Sequence, residues 1–350
     1  MADPIALSGA PGSPYTRKML GVLRYRRIAY RLLPPSGGAL GGAALGGVAS
    51  TNLPRPKTPL LPTFYLPDAA GVLQAVTDST PLIRRLEREH AGRSVIPSDP
   101  ALAFLDELIE DYADEWLTKA MFHYRWAYAP DIAKGAAILP CWRGFTVPDE
   151  ELRARGAAVA ARQIERLRYV GSNAVTGPVI EASYRRFLAA FEAHLTHLPY
   201  LLGHRPAACD FAVFGQLTQL AEFDPTPMAL TLKLAPRVTA WVGLMEDQSG
   251  VEPGEGDWIS VTDLPATLTA ILAEIGRVYP PVMLANAAAV TARTGEVVAE
   301  VEGQVWTQQP FPYQAKCLGW LRQSHADLTP AARGRIDGIL APSGLAALFV

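Results

Sequence analysis

The residues of this chain that are best placed to do chemistry stand at the starts of two predicted helices. Ser13 precedes Pro14 and a periodic apolar run, which predicts a helix capped by the Ser13 hydroxyl with proline where its missing N–H costs nothing. Asp78 and Ser79 precede Pro81 and a second apolar stripe in the same way. Such groups serve either as helix caps alone or as partners for a ligand, and both readings stay open at this point.

Other residue types that commonly carry chemistry are poorly placed for it. The three cysteines, Cys141, Cys209 and Cys317, are far apart and odd in number, which argues against a disulfide framework or a zinc site. His194 and His197 form an HxxH pair, but no third ligand accompanies them. The sequence therefore predicts no metal site.

The composition indicates an ordinary globular protein. The chain has 350 residues, of which 49% are hydrophobic and 19% charged, with a formal net charge of −2. This balance lacks the basic footprint that nucleic-acid binding needs. No basic segment followed by a long apolar run opens the sequence, and no stretch approaches 18 uninterrupted apolar residues. We therefore expect a soluble, cytoplasmic protein with neither a nucleic-acid partner nor a membrane span.

The first 92 residues alternate between strand and helix patterns. Strands are predicted at 5–8, 30–33, 63–66 and 72–75, and the two helices follow Ser13 and Asp78, which gives the order β-α-β-loop-β-β-α. The glycine-rich segment 36–50 contains no GxxxxGK[ST] phosphate-binding motif and is predicted to be a mobile loop.

The rest of the chain is predicted to be mostly helical. After a linker at 97–100, helical spacing runs through 102–124, and further helices are predicted at 149–170, 177–197, 208–222 and 226–247. The last hundred residues mix helices at 264–278 and 281–292 with strands at 296–302 and 304–308 and a short helix at 314–322. We predict an α/β domain (1–92), an all-α domain (98–250) and a mixed α/β extension (251–350) that packs on the helical domain.

Five segments, in order, resemble the glutathione S-transferase superfamily. Ser13-Pro14-Tyr15 resembles the helix start of the tau- and omega-like classes, and Leu61-Pro62 resembles the residue and cis-proline that begin the third strand. Asp78-Ser79 resembles the acidic-serine pair of the third helix. The segments 202–211 and 235–241 resemble the core and closing helices of the helical domain, while the extension lies outside the resemblance. The implied fold is a thioredoxin-like domain followed by an all-helical one.

The resemblance implies a glutathione site with a role for each matched residue. Ser13 would donate a hydrogen bond to the glutathione thiolate, and the helix dipole would add to that effect. Leu61, before a cis Pro62, would bind the tripeptide backbone, and Asp78 and Ser79 would hold its γ-glutamyl end. Serine at position 13, where redox relatives have cysteine, disfavours disulfide exchange.

An electrophile pocket would lie between the two domains, and Tyr15, Tyr112, Trp116 and His123 are its candidate residues. Aromatic residues at helical spacing are also typical of a packed core, so this alternative stays open. The resemblance further implies a homodimer.

The expected activity is the conjugation of glutathione, as co-substrate, to a small hydrophobic electrophile. A non-catalytic binding or scaffold protein and an isomerase or dehalogenase using the same thiol remain alternatives. Two departures from the family pattern bear on this choice. Ala207 replaces the usual capping serine or threonine of the helical domain, although Asp210 can still reach the Ala207 backbone. The glycine-rich 36–50 segment stands where the family often has a helix that contributes to the glutathione pocket.

Overall fold

The N-terminal part of the chain consists of a four-stranded sheet and two helices. The computed structural model describes residues 3–34, 53–254 and 256–350, and its first sheet has the order β2-β1-β3-β4, with only the β1–β2 pair parallel. Its elements are β1 (Ile5–Ser8), α1 (Pro14–Tyr25), β2 (Tyr30–Leu33), β3 (Thr63–Pro67), β4 (Leu73–Val76) and α2 (Ser79–Glu89). The predicted thioredoxin-like order is confirmed, and the loop predicted at 36–50 lies outside the described residues.

The apolar stripes of α1 and α2 form the core of this domain. Met19, Val22 and Leu23 on α1 are fully buried, as are Ile83 and Leu86 on α2. They belong to the same buried cluster as the central strand residues Leu7 and Phe64. The helical periodicity of these residues thus fixes which face of each helix packs inward.

The middle of the chain is entirely helical apart from its loops. It comprises α3 (Pro100–Tyr112), α4 (Thr118–Ala127), α5 (Ala129–Ile138), α6 (Asp149–Glu165), α7 (Gly177–His194), α8 (Ala208–Leu217), α9 (Pro225–Leu234) and α10 (Pro236–Met245). One π-helical segment (Ala113–Leu117) joins α3 to α4 and a second (Thr218–Phe223) follows α8. The single helix predicted at 226–247 is wrong, because Pro236 disfavours helical backbone at Ala235, which has φ −147° and ψ 69°.

The start of α8 shows how the domain replaces a missing cap. Ala207 has no side-chain acceptor, but the Asp210 carboxylate accepts hydrogen bonds from the Ala207 and Leu201 amides, both at 2.9 Å. The predicted contact between Asp210 and the Ala207 backbone is confirmed.

The C-terminal extension consists of three helices and a hairpin. They are α11 (Ala266–Ala292), β5 (Val297–Val301), β6 (Gln304–Gln308), α12 (Pro312–Asp327) and α13 (Pro330–Leu340). The two helices predicted at 264–278 and 281–292 are one helix that continues through Pro280 and Pro281. Interior prolines cost a helix about 3 kcal/mol or more, and the burial of Val278, Tyr279 and Val282 around them offsets that cost.

Helix α11 is, within the described residues, the one helix long and apolar enough to cross a membrane. Its most apolar window has a mean hydropathy of 1.2, and 56% of that window is buried inside the protein. The helix packs against α7, α12 and β5, as the core helix of the extension does.

The extension covers one face of α3. The Ser324 hydroxyl donates to Glu107 at 3.0 Å, the Tyr279 hydroxyl donates to Asp111, and the rings of Phe104 and Phe349 lie 5.4 Å apart. The chain thus uses its own last hundred residues as the packing partner of this helix. The domain boundaries at 92, 98 and 250 stay predictions.

Candidate functional site

Ser13 stands at the N-terminus of α1 and faces the start of β3. Its Oγ accepts a hydrogen bond from the Thr16 amide at 3.2 Å, which confirms the predicted cap. The same hydroxyl donates to the Leu61 carbonyl oxygen at 3.2 Å, and the Leu61–Pro62 peptide bond is cis, as predicted. Ser13 and the cis Leu61–Pro62 bond, which are 48 residues apart in sequence, therefore lie together where α1 and β3 begin.

Asp78 and Ser79 lie at the start of α2, but they do not form the predicted cap. Helix α2 begins at Ser79, and the Asp78 side chain makes no capping hydrogen bond. Asp78 has φ 87° and ψ 110°, a backbone conformation that non-glycine residues rarely adopt and that a neighbouring structure must hold in place. Such conformations cluster at binding sites, so the Asp78 backbone fits a functional position better than a cap.

The carboxylate of Asp78 faces helix α12 of the extension. Burial raises its pKa, while the nearby Tyr313 hydroxyl and the ammonium groups of Lys18 and Lys316 act in the opposite direction. Thr80 lines a small cavity together with Tyr313 of α12. The extension therefore borders the predicted γ-glutamyl end of the site, which the sequence did not indicate.

Lys18 connects this site to the helical domain. Its Nζ donates to Ser79 Oγ at 3.1 Å, to Glu110 at 2.7 Å and to Asp114 at 2.6 Å, and its side chain is 1% exposed. Burial lowers the pKa of Lys18, but the Asp114 and Glu110 carboxylates outweigh it and hold the pKa above its ordinary value. Lys18 is thus a buried cation directly beneath Ser79.

A second buried cation holds the loop before Ser13. Arg125 on α4 donates to the Gly12 carbonyl at 3.1 Å, to both Asp224 oxygens at 2.9 and 3.0 Å, and to Gln219 at 2.7 Å. Gln219, in the second π-helical segment, in turn donates to the Pro11 carbonyl at 3.1 Å. These bonds fix the backbone that aims Ser13.

Replacing Arg125 by lysine is expected to lower the free energy of unfolding by about 1–3 kcal/mol, because lysine cannot supply the planar fork that pairs Asp224 and reaches Gly12 together. Urea unfolding monitored by fluorescence measures the change. The matched control is Arg237→Lys, whose guanidinium pairs with Glu192 on the surface with its side chain 58% exposed. Equal, negligible effects of the two substitutions would contradict a positioning role for Arg125.

The predicted electrophile-pocket residues lie in packed surroundings. Tyr15 donates through its hydroxyl to the Asp114 carbonyl at 2.9 Å, so it joins α1 to the first π-helical segment. Tyr112 is fully buried, and the Trp116 indole donates to Ser183 at 2.9 Å while its ring lies 5.3 Å from that of Trp306, tilted by 35°. These contacts are those of core residues.

His123, the fourth predicted residue, is also buried and contacts Ser172 and Glu181 rather than Ser13. A role of any of the four residues in binding an electrophile stays a prediction.

Comparison with known proteins bears on the N-terminal domain. Residues 7–94 match the glutathione S-transferase N-terminal domain. The match is confined to the N-terminal domain and covers less than half of the chain. No curated protein matches the chain.

Several solved glutathione transferase structures align with this chain. A glutathione transferase family member from Pseudomonas fluorescens Pf-5, with two glutathione molecules bound, is 13% identical and has a TM-score of 0.41, covering 69% of this chain and 87% of its own. A glutathione S-transferase from Methylobacterium radiotolerans in complex with glutathione sulfonate is 17% identical with a TM-score of 0.41, covering 74% of this chain and 100% of its own. A theta-class enzyme from Xanthomonas axonopodis pv. citri, with glutathione bound, is 19% identical with a TM-score of 0.36, covering 69% and 98%.

Proposed function

We propose that this protein is a member of the glutathione S-transferase superfamily, binds glutathione where α1 and β3 begin, and conjugates it to a small hydrophobic electrophile. The observation that carries the proposal is the contact of Ser13 Oγ with the Leu61 carbonyl, at 3.2 Å. This contact puts a hydroxyl at a helix N-terminus directly beside the backbone expected to bind the tripeptide. The tau- or omega-like subclass and a cytoplasmic homodimer are part of the same proposal.

The proposed chemistry depends on ionising the glutathione thiol. A free thiol with a pKa near 8.5 is only a few per cent ionised at neutral pH. The Ser13 O–H would rotate away from Leu61 and donate to the sulfur, and the N-terminal end of α1 would favour the negative charge. The thiolate then attacks the electrophilic carbon, a carbon–sulfur bond forms, and the leaving group departs with its electron pair.

The γ-glutamyl end would bind between Asp78 and Ser79. Because Ser79 Oγ already accepts a hydrogen bond from Lys18, its own O–H remains available to donate to a carboxylate. The Asp78 carboxylate would pair with the ammonium group. Tyr15, Tyr112, Trp116 and His123 would border the electrophile only if it reaches between the domains.

A specific observation favours the second candidate, a non-catalytic protein of this fold. The Ser13 hydroxyl already has an acceptor within the chain, and the Asp78 carboxylate lies beside Tyr313. Both groups therefore have partners of their own when no ligand is bound, as in a site retained only for structure.

Calorimetric titration of glutathione, together with conjugation to 1-chloro-2,4-dinitrobenzene, separates the two candidates. We expect glutathione to bind wild type and Ser13→Ala alike, with turnover reduced at least about 10-fold in the variant, because the thiolate loses its donor. Ser13→Ala also removes a helix cap at a cost of about 1 kcal/mol. The matched control is Thr329→Ala, which removes the cap of α13, a 3.3 Å bond to Ala332, and is expected to leave turnover unchanged. No binding at millimolar glutathione would favour the non-catalytic protein.

A further inference from the structure

A second group of polar residues, apart from the Ser13 site, consists of three side chains joined by hydrogen bonds. Ser172 Oγ lies 2.8 Å from His123 Nδ1, and His123 Nε2 lies 3.4 Å from Glu181 Oε1. His123 is on α4 and Glu181 on α7, while Ser172 follows the 3-10 segment Arg166–Tyr169. A hydroxyl, an imidazole and a carboxylate in this order are the groups that activate a serine nucleophile.

The hydrogen bonds of His123 determine where its proton sits. Because the Glu181 carboxylate only accepts, the His123 proton is on Nε2, and the free lone pair of Nδ1 accepts the Ser172 O–H. The Tyr128 hydroxyl also donates to Glu181 Oε1, which fixes the orientation of that carboxylate. Burial lowers the pKa of His123 more than Glu181 raises it, so the imidazole is neutral and able to take a proton.

Space beside His123 is created by a glycine. A side chain at position 177, the first residue of α7, would place its Cβ 3.0 Å from His123 Cε1. Gly177 therefore lets the imidazole lie against the helix start, one turn before Glu181. In this position His123 contacts both Ser172 and Glu181.

Ser172 opens onto a cavity of about 310 Å³. This volume lies at the lower end of those that hold small molecules. The lining is polar and includes Arg168, Asn173, Glu296 and Thr307. Such a cavity suits a small ester with hydrogen-bonding groups rather than a large apolar molecule.

Gly171, directly before Ser172, also lines the cavity. It has φ 70°, in the left-handed region, and its amide N–H donates to no acceptor among the described residues. An unengaged amide beside a nucleophile can stabilise the oxyanion that forms when a carbonyl is attacked. The cavity thus holds a nucleophile, a base and a candidate oxyanion donor.

We propose that Ser172, His123 and Glu181 form an acyl-transfer site that hydrolyses small polar esters, independently of glutathione. Ser172 Oγ bonds to the acyl carbon as its proton passes to His123 Nδ1. The ester C–O bond breaks, and the alcohol leaves with that proton. A water molecule then gives a proton to Nδ1 and its oxygen to the acyl carbon, and Ser172 Oγ departs with the proton from Nδ1.

The test uses p-nitrophenyl acetate hydrolysis and labelling by a fluorophosphonate, with the modified residue located by mass spectrometry. We expect the wild-type protein to be labelled at Ser172 and Ser172→Ala to lose at least 100-fold in kcat/KM. The matched control is Ser260→Ala, an exposed serine bonded to Thr262, which is expected to keep wild-type turnover. Glutathione titration of Ser172→Ala, which should match wild type, keeps the two sites distinguishable.

Because the fluorophosphonate labels the wild-type protein, this part of the test does not depend on whether a variant folds. Glu181→Gln provides a second variant, since its amide oxygen can still accept from His123 without the charge, and we expect a 10-fold or larger loss of turnover. Absence of ester hydrolysis above the buffer rate, label on residues other than Ser172, or full turnover in Ser172→Ala would each overturn the proposal.

Discussion

Replacing Lys18 by methionine is expected to lower the free energy of unfolding by about 3–5 kcal/mol. The substitution keeps most of the unbranched apolar stem but removes the ammonium group that pairs with both Glu110 and Asp114, which are themselves buried. Asp114 would then remain in a water-poor interior without its cation, while Glu110 would keep Arg84 at 3.4 Å. Urea unfolding at pH 7.5, monitored by fluorescence and circular dichroism, measures the loss.

The control for Lys18 is an exposed ion pair. Arg85→Met removes a partner of Glu89, whose side chain is 43% exposed, and is expected to change the free energy of unfolding by less than about 1 kcal/mol. The double variant Lys18→Met/Asp114→Asn should recover part of the lost stability, because it removes the charge of Asp114, which Lys18→Met leaves without its cation. If Lys18→Met lowered the free energy of unfolding by less than about 1 kcal/mol, the burial of these charges would be contradicted.

The free energy of unfolding is expected to fall as pH rises from about 4 to 8. Burial raises the pKa of Asp106 to about 8 and those of Asp111 and Asp210 to about 7, above the ordinary value of 3.8. At a pH between the ordinary pKa of the unfolded chain and the raised pKa of the folded protein, the folded protein holds protons that the unfolded chain has released. Stability from these groups is therefore complete below about pH 4 and is lost as pH rises through 7 and 8.

Asp106→Asn isolates the largest of these contributions. Asp106 Oδ1 accepts from the Cys209 amide at 2.8 Å, and the asparagine oxygen can keep this bond, while the buried Oδ2 has no hydrogen-bond partner within the described part of the chain. We expect the variant to gain about 1–3 kcal/mol relative to wild type at pH 8 and to match it near pH 4.5. Chemical denaturation across this pH range measures the difference.

An exposed carboxyl provides the comparison for Asp106. Asp263→Asn, in the loop before α11, is expected to leave the pH dependence of unfolding as it is in wild type. Parallel pH profiles for Asp106→Asn and wild type would contradict a raised pKa at Asp106.

The parts of the fold that the sequence predicted are those controlled by local chemistry. The Ser13 cap, the order of strands and helices along the chain and the Asp210 contact follow from residue types within a few positions of each other. The unbroken helix at Pro280 and Pro281 was missed because burial on both sides of the prolines, a tertiary effect, outweighs their local preference.

The buried cations escaped prediction for a related reason. Lys18 meets Glu110 and Asp114 across 92 and 96 residues of chain, so no local pattern marks it as buried. One sequence signal for burial was available, because Lys18 directly precedes Met19, the first residue of the apolar run of α1. The Ser172–His123–Glu181 line spans 49 and 58 residues and likewise depends on how helices pack.

Helix α3 is covered by the extension of its own chain. A helix face covered by a second subunit is uncovered on dilution, to an extent set by the dissociation constant of the dimer. Here Ser324 and Phe349 reach α3 from the same chain, so their local concentration is set by the length of the tether. This face of the protein therefore stays covered in a single isolated molecule, whatever the expression level of the chain.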